Sequence, residues 1–583
     1  MFRSSIHIFQ VKKSFGLSAS FFFVFGMLFN PSSGFSQTRY PANQNFLVNE
    51  STFPRLILTS GKELSPYCVF TILSNIGYSG LFIFAPNGEP LFYKRIEAQA
   101  YDFKLLPNGY MSYFDKSRGG FILLDSMLKE VDVIRAKNGY VTDLHEIIVA
   151  PDGDYLLFGL DIHEVDMSTI VSGGYAKAQV KDMVIQKIDS EENVVFEWNS
   201  RDHFNILDTY ANVLSHVIDY VHFNSIEFDS DSTIIVSSRN MSELTRIDLN
   251  TGDIIWRMGG KNNQFTLKNF ERPPSGQHTI RKKNDSIFTI FDNGSYSDDK
   301  YSMGVEFSID EDSMVAEKIT GYRREPDVFS SILGNLQNLG NGNSVVFWGI
   351  NQEDEIGGLF TEYNTEQEIV QEGKFINCES PTYRVQKFNW ENKAFSSNEK
   401  NLSFPDTEYG DSVIRAIILS NHLNENLVLN EFVSSSGDFR INEDSIMIAP
   451  KSQALADVVF RPSSNADYSD TLTLRSNMNK QSIAMQIAVS GTGYGYTSNI
   501  GAVINREFHV FPNPFSKEIH YSSYAEPERL EITNLSGRRV WYDDDIHKQG
   551  NIETSEIGQG VYIISSYQQD GSVSHKKIIK TVR

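Results

Sequence analysis

Three of the chain's twelve histidines hold one position in a recurring pattern. They are His145 in LHEIIVAPDGDYLLFG, His222 in VHFNSIEFDSDSTIIVSSR and His278 in QHTIRKKNDSIFTIFDNG. Each stands near the start of a run that reaches a turn containing Asn, Asp or Gly and returns as a second run, the pattern of a β-hairpin. Asn224 follows His222 by two residues, which strand alternation places on the same face. Arg239 closes the partner run of that hairpin, within reach of its opening. Imidazoles beside a guanidinium suit an oxyanion: the planar fork matches sulfate or phosphate oxygens, and a neutral imidazole is a nucleophile or proton carrier near neutral pH. Three histidines also suit zinc, but a zinc site does not place an arginine beside the cation, and the chain has no Cys/His metal spacing. Neither a phosphate-cradling Gly-rich loop nor G-x-S-x-G occurs where it would count.

The elements that must position these residues are hairpins. The same template recurs without histidine in YDFKLLPNGYMSYF from Tyr101 and NLQNLGNGNSVVFWG from Asn335. A second hairpin often follows each, as in FILLDSMLKEVDVI, VIQKIDSEENVVFEW, LTRIDLNTGDIIWRMGG and GLFTEYNTEQEIVQEG, and GLFIFAPNGEPLFYKRI precedes the series. Two hairpins make a four-stranded blade, and these units over residues 50–395 predict an all-β, six-bladed propeller around a central channel. The spacing is irregular, with a long insertion at about 161–220. Equivalent positions in rotated blades point at the axis, so His145, His222 and His278 are expected to converge at one mouth of the channel. His278, His222, His145 and Arg239 are the candidate catalytic residues and Asn224 a candidate substrate-binding residue. In SPTYRVQKF, Tyr383 and Arg384 are expected on a closing strand with the arginine exposed. Asp292, Asn293 and Gly294 are expected to form a turn.

Beyond residue 399 the texture changes. Short strands with polar turns over 400–494 predict a β-sandwich of immunoglobulin-like type. Residues 504–583 form a further small β unit. At the other end, Arg3, Lys12 and Lys13 precede the apolar run FGLSASFFFVFGMLF, and small residues near Gly34–Ser36 complete a signal peptide over 1–36. No later segment approaches the length of a membrane span, so none is expected in the mature chain. The formal net charge of −22 argues against nucleic acid or an anionic membrane as partner and makes a local cation necessary for any anionic substrate. The only cysteines, Cys68 and Cys378, either pair in an oxidising compartment or remain as two buried thiols.

Residues from about 77 to 387 resemble the arylsulfate sulfotransferases, through DLHEIIVAPDGDYLLFG, HFNSIEFDSDSTIIVSSRN with IDLNTGDIIWRMGG, and QHTIRKKNDSIFTIFDNG. The resemblance implies a six-bladed propeller that moves a sulfuryl group between phenols with no nucleotide donor or other cofactor. It implies His278 as the nucleophile that becomes sulfated, with His145, His222, Asn224 and Arg239 around the sulfuryl group. Residues 400–494 resemble immunoglobulin-like modules of the abnormal-spindle/hydin type. The last eighty residues, with VFPNPFSKEIHY, LEITNLSGRRVW and GQGVYIISSYQQDGSVSHKKIIK, resemble the C-terminal sorting domain of type IX secretion substrates. That implies the type IX secretion machinery as partner and a secreted or cell-surface location. The expectation is an exported aryl-sulfate sulfotransferase working by a ping-pong mechanism through a sulfohistidine. A surface propeller that binds glycan or protein without catalysis, and a sulfate-ester hydrolase, are the alternatives.

Overall fold

The computed structural model describes residues 53–60, 65–75, 78–350, 358–378, 382–478, 480–495, 508–569 and 573–581. The signal-peptide reading of residues 1–36 lies outside them. The described residues form β-strands and three short 3-10 turns, in two units, Met1–Tyr494 and Gly495–Arg583.

Six sheets, each built on four antiparallel strands, follow one another in the first unit. From the innermost strand outward, blade 2 is Ala100–Leu105, Met111–Asp115, Gly120–Leu124 and Glu130–Ile134. Blade 3 runs Val141–Val149, Tyr155–Val165, Ala178–Ile188 and Val194–Asn199. Blade 4 is Phe223–Ser230, Thr233–Ser238, Glu243–Asp248 and Ile254–Gly259, and blade 5 is His278–Lys282, Ile287–Asp292, Met303–Asp310 and Val315–Tyr322. Blade 6 is Asn335–Asn338, Ser344–Phe347, Leu359–Tyr363 and Ile369–Ile376, with Arg55–Ser60 added as a fifth strand. Blade 1 closes the ring: its innermost strand, Val385–Phe388, arrives from the far end of the propeller and pairs with Cys68–Asn75, followed by Tyr78–Phe84 and Pro90–Ile96. Closure is thus made twice, by an early strand on the last blade and a late strand on the first. Middle strands such as Met111–Asp115 and Gly120–Leu124 are buried throughout because neighbouring blades cover both faces. The stretch at 161–220 is largely an extension of blade 3 rather than an inserted loop. Tyr155–Val165 and Ala178–Ile188 pair over eleven residues, and Val217–Asp219 returns parallel to the latter.

The innermost strands are not regular. Pairing slips between Tyr101 and Lys104, across residues 143–146 opposite Leu157–Gly159, between Phe223 and Ser225, and between His278 and Arg281. Asp102, His222 and Thr279 adopt φ of 54°, 55° and 56° at or beside these slips. Bulges of this kind re-aim side chains out of strict alternation, and here they turn polar groups toward the axis.

Residues 395–494 form the expected sandwich, but it is welded to the propeller. Its hairpin Ala466–Met478/Gln481–Tyr494 extends blade 1 through Gln481↔Lys94, Ser482↔Tyr93 and Ile483↔Phe92. Arg475 donates to the Pro90 carbonyl at 2.7 Å. One apolar core runs through both, joining Phe70, Phe92 and Phe103 to Phe404, Phe439, Phe460 and Leu472. Phe460→Ala is therefore expected to cost about 3–5 kcal/mol and to lower the melting of propeller and sandwich as one calorimetric transition. Separate transitions for the two would contradict a shared core.

Cys68 and Cys378 are both buried free thiols, in different core clusters, so the disulfide reading is not what the structure contains. Burial pushes both thiols up to about 11. The second unit is a sandwich of a three-stranded sheet (His509–Phe511, Glu518–Ser522, Gln549–Glu553) and a four-stranded sheet (Arg539–Asp543, Pro527–Asn534, Gly560–Gln568, Val573–Lys580). Its core includes Ile519, Leu530, Ile532, Ile564 and Ile578.

Candidate active site

His278 begins the innermost strand of blade 5 and lies opposite Phe291 on the next strand. Two residues past Phe291, the fully buried Asn293 places its Oδ1 2.9 Å from His278 Nδ1. The orientation of that amide follows from its other partners: Nδ2 donates to the Ser330 carbonyl at 2.8 Å and the Leu333 carbonyl at 2.9 Å. Carbonyls only accept, so the amide oxygen must face the ring, Nδ1–H donates, and Nε2 carries the free lone pair. His278 is 2 % exposed. Burial, with the Arg239 charge nearby, holds its imidazole well below 6.5, so it is neutral at neutral pH.

The other two imidazoles are paired differently. His145 Nδ1 lies 2.6 Å from Asp143 Oδ1, and His222 Nδ1 lies 2.8 Å from Asp219 Oδ2. Carboxylates also accept, so both rings hold the proton on Nδ1 and leave Nε2 free. Burial pushes the Asp219 carboxyl up, but the His222 imidazole outweighs it and holds the group at about 2. Burial lowers His222 below 6.5 while Asp219 opposes the shift. The two rings meet edge to face with centroids 4.7 Å apart, and Tyr383 stands 5.8 Å from His145.

Arg239 follows strand Thr233–Ser238 and is tied to His222 through its own N–H, which donates to the His222 carbonyl at 3.0 Å. Its guanidinium donates to Asn240 Oδ1 at 2.7 Å, the Tyr296 hydroxyl at 3.3 Å and the Ser331 carbonyl at 3.0 Å. Nε is buried and has no hydrogen-bond partner among the described residues. Buried donors are ordinarily satisfied, which makes this one an exception.

Asn224 is held by the backbone around the nucleophile. Its amide donates to the Gln277 carbonyl at 2.8 Å and accepts from Thr279 N–H at 3.3 Å, and the residue is fully buried. It clasps the backbone on both sides of His278. The positive φ at His222 and the bulge after Phe223 break the alternation on which the shared face depended. Arg384, expected to be exposed, is 4 % exposed and fills the axis beside the histidines. It donates to Asp102 at 2.8 Å and to the Asn224 carbonyl at 2.7 Å, and lies 3.1 Å from Glu146. Glu146 also receives Lys104 and, at 2.7 Å, Arg281. Burial alone would raise that carboxyl, but these cations hold it far below the usual range. Charges from blades 2, 3 and 5 and the segment entering blade 1 thus compensate one another, as buried ions must.

Sequence reasoning did not single out Asp143, Asp219, Asn240 or Tyr296 and read Asn293 as a turn residue. Asp143 and Asp219 were signalled by their places two and three residues before a repeat histidine. Among the described residues, no group of three or more His, Cys, Asp or Glu side chains is arranged to hold a metal ion, and no helix is long and apolar enough to cross a membrane.

Three family models match the chain. Arylsulfotransferase (ASST) matches residues 46–395, Cep192 domain 4 matches 392–494, and the secretion system C-terminal sorting domain matches 509–581. No curated protein matches significantly. Among solved structures, a protein of unknown function from Bacteroides caccae is similar at 12% identity over 56% of this chain and 99% of its own, with a TM-score of 0.38. Virginiamycin B lyase from Staphylococcus aureus is similar at 12% identity over 55% of this chain and 99% of its own, with a TM-score of 0.27. PorZ, a surface component of the type IX secretion system of Porphyromonas gingivalis, is similar at 8% identity over 88% of this chain and 75% of its own, with a TM-score of 0.24. The sorting domain indicates export to the cell surface or the medium. The propeller match spans more than half of the chain, and on that ground the chain belongs to the arylsulfotransferase family.

Proposed function

We propose that the protein transfers a sulfuryl group from a phenolic sulfate ester to a phenolic acceptor through a covalent sulfohistidine at His278. The observation that carries this reading is the difference between the three histidine partners. Carboxylates hold the Nδ1 protons of His145 and His222 and leave both Nε2 atoms free to exchange a proton, whereas the neutral amide behind His278 keeps a buried ring uncharged with its Nε2 lone pair exposed to reaction.

In the first step the His278 Nε2 lone pair forms an N–S bond as the sulfur–oxygen bond to the aryl group breaks. The electron pair leaves on the phenol oxygen, which takes a proton from the His145–His222 pair, with His222 the member assigned to it. In the second step the acceptor hydroxyl returns a proton to that pair, its oxygen bonds to sulfur, and the N–S bond breaks. Arg239 binds the sulfuryl oxygens and orients them for in-line attack. The network around Glu146 and Arg384 fills the axis and keeps the reacting centre out of a through-going water channel.

Initial rates with 4-nitrophenyl sulfate and varied phenol test this reading. A two-step covalent route gives parallel double-reciprocal lines. Converging lines would contradict it, and inorganic sulfate released at the rate of nitrophenolate regardless of phenol would favour the hydrolase. The export reading places this activity outside the cytoplasm, with the C-terminal domain as the segment handled by the type IX machinery.

A further inference from the structure

The nucleophile's tautomer depends on Asn293, and the segment carrying Asn293 is held by a group that touches neither the ring nor any substrate. Asp292 ends its strand 2 % exposed. One carboxylate oxygen, Oδ1, accepts from Ser275 N–H at 2.8 Å and from Gly294 N–H at 3.1 Å. Ser275 lies three residues before His278, and Gly294 directly follows Asn293. A single oxygen therefore pins the chain entering the nucleophile to the chain leaving its partner.

The other oxygen, Oδ2, receives Arg272 through Nε at 3.2 Å and Nη2 at 2.9 Å. Arg272 in turn donates to the Asp299 carbonyl at 2.9 Å and the Tyr301 carbonyl at 2.7 Å. Its guanidinium lies 3.8 Å from the Tyr301 ring centroid, and Arg323 lies 3.7 Å from the same ring. At Gly294 (φ +68°) a Cβ would come within 2.5 Å of Arg272 Nη2 and of the Tyr301 carbonyl, so the guanidinium packs directly on this turn. A carboxylate buried this fully needs such a cation to stay ionised.

We infer that Asp292, held by Arg272, is a positioning residue that sets the His278 tautomer by fixing the distance and orientation between His278 and Asn293. The inference rests on the proposed role of His278 but adds a residue outside the reacting groups. If the clasp loosens, Asn293 no longer presents its oxygen squarely to Nδ1, the proton moves between the two ring nitrogens, and the Nε2 lone pair is lost from part of the population.

The test uses the full chain with selectively 15N-labelled histidine, read by NMR, together with single-turnover release of 4-nitrophenolate. In the wild type, His278 is protonated at Nδ1 and bare at Nε2. Asp292→Asn, which puts an amide against Arg272, gives a mixture of tautomers and slows single-turnover release roughly 10–100-fold, the scale of a misplaced reacting group, while donor affinity stays within about threefold. Arg272→Lys, which keeps the charge but not the fork, gives the same pattern more weakly and serves if Asp292→Asn does not fold. Arg323→Gln, which leaves the Asp292 contacts intact, behaves as wild type. A wild-type His278 protonated at Nε2 overturns the inference outright. So does a folded Asp292→Asn or Arg272→Lys variant with unchanged tautomer and unchanged release. If the wild type shows the expected tautomer and clasp dependence but releases no nitrophenolate, the clasp stands and the sulfuryl-transfer reading fails.

Discussion

The His278→Asn variant folds with an unchanged melting temperature to within a few degrees and loses roughly 10⁴- to 10⁶-fold in kcat for sulfuryl transfer, the scale seen when a covalent nucleophile is removed. Asparagine keeps a polar group in the site but has no lone pair on a ring nitrogen of imidazole basicity. The structure argues against a merely structural role for the ring. Among the described residues its Nδ1–H makes the ring's one hydrogen bond, Asn293 is also held by Ser330 and Leu333, and the flanking backbone is carried by Asn224. Binding of an aryl sulfate, read by calorimetry, should survive the substitution because Arg239 is untouched. A variant that retains more than about a hundredth of the wild-type kcat would require a different nucleophile.

Arg239→Gln is expected to lower kcat/KM for an aryl sulfate by about 10³-fold, comparable to the loss of an anion-clamping arginine elsewhere. Arg239→Lys recovers only part of this, since an ammonium restores charge without the fork. The substitution has a second consequence with a definite sign. The Arg239 charge helps hold the His278 imidazole below its ordinary 6.5, so removing it lets that value rise. Because 4-nitrophenolate is weakly basic and leaves without a proton from His222, kcat/KM for 4-nitrophenyl sulfate in the wild type stays level as pH falls through 6.5 and drops only below it, where His278 Nε2 becomes protonated. In Arg239→Gln the drop begins at higher pH. A wild-type inflection at or above 6.5, or a variant inflection moved to lower pH, would contradict the assigned environment.

Much of the architecture was legible because propeller blades are written locally. Each hairpin turn lies between strands that pair with each other, so turn chemistry and alternation locate the strands, and repeating the template locates the blades. The meeting of His145 and His222 is expected from rotation alone. What stayed hidden depends on partners far along the chain or on broken alternation. Strand period alone places Asn224 beside His222, but the φ of 55° at His222 breaks that period, and the bonds of Asn224 to the Gln277 carbonyl and Thr279 N–H, more than fifty residues on, are not written locally. Asn293 looks like a turn residue in FDNG, and its role appears only when strand Ile287–Asp292 is paired with His278. Arg384 reads as a surface charge until Asp102 and Glu146, more than 200 residues earlier, are brought to it. Likewise, nothing local to Gln481 or Lys94 announces that they share a strand register.

The central claim is that a sulfuryl group resides on His278 between two half-reactions. The most direct test is intact-protein mass spectrometry of the mature chain mixed with 4-nitrophenyl sulfate and no acceptor, followed by peptide mapping under conditions that preserve phosphoramidate-like N–S bonds. The predicted result is a gain of one sulfuryl group, on the peptide containing His278, that disappears when phenol is added and never forms in His278→Asn. An unmodified chain that nevertheless passes sulfuryl groups from donor to phenol would contradict the covalent account, and an unmodified chain that releases no phenolate would leave a binding propeller in its place.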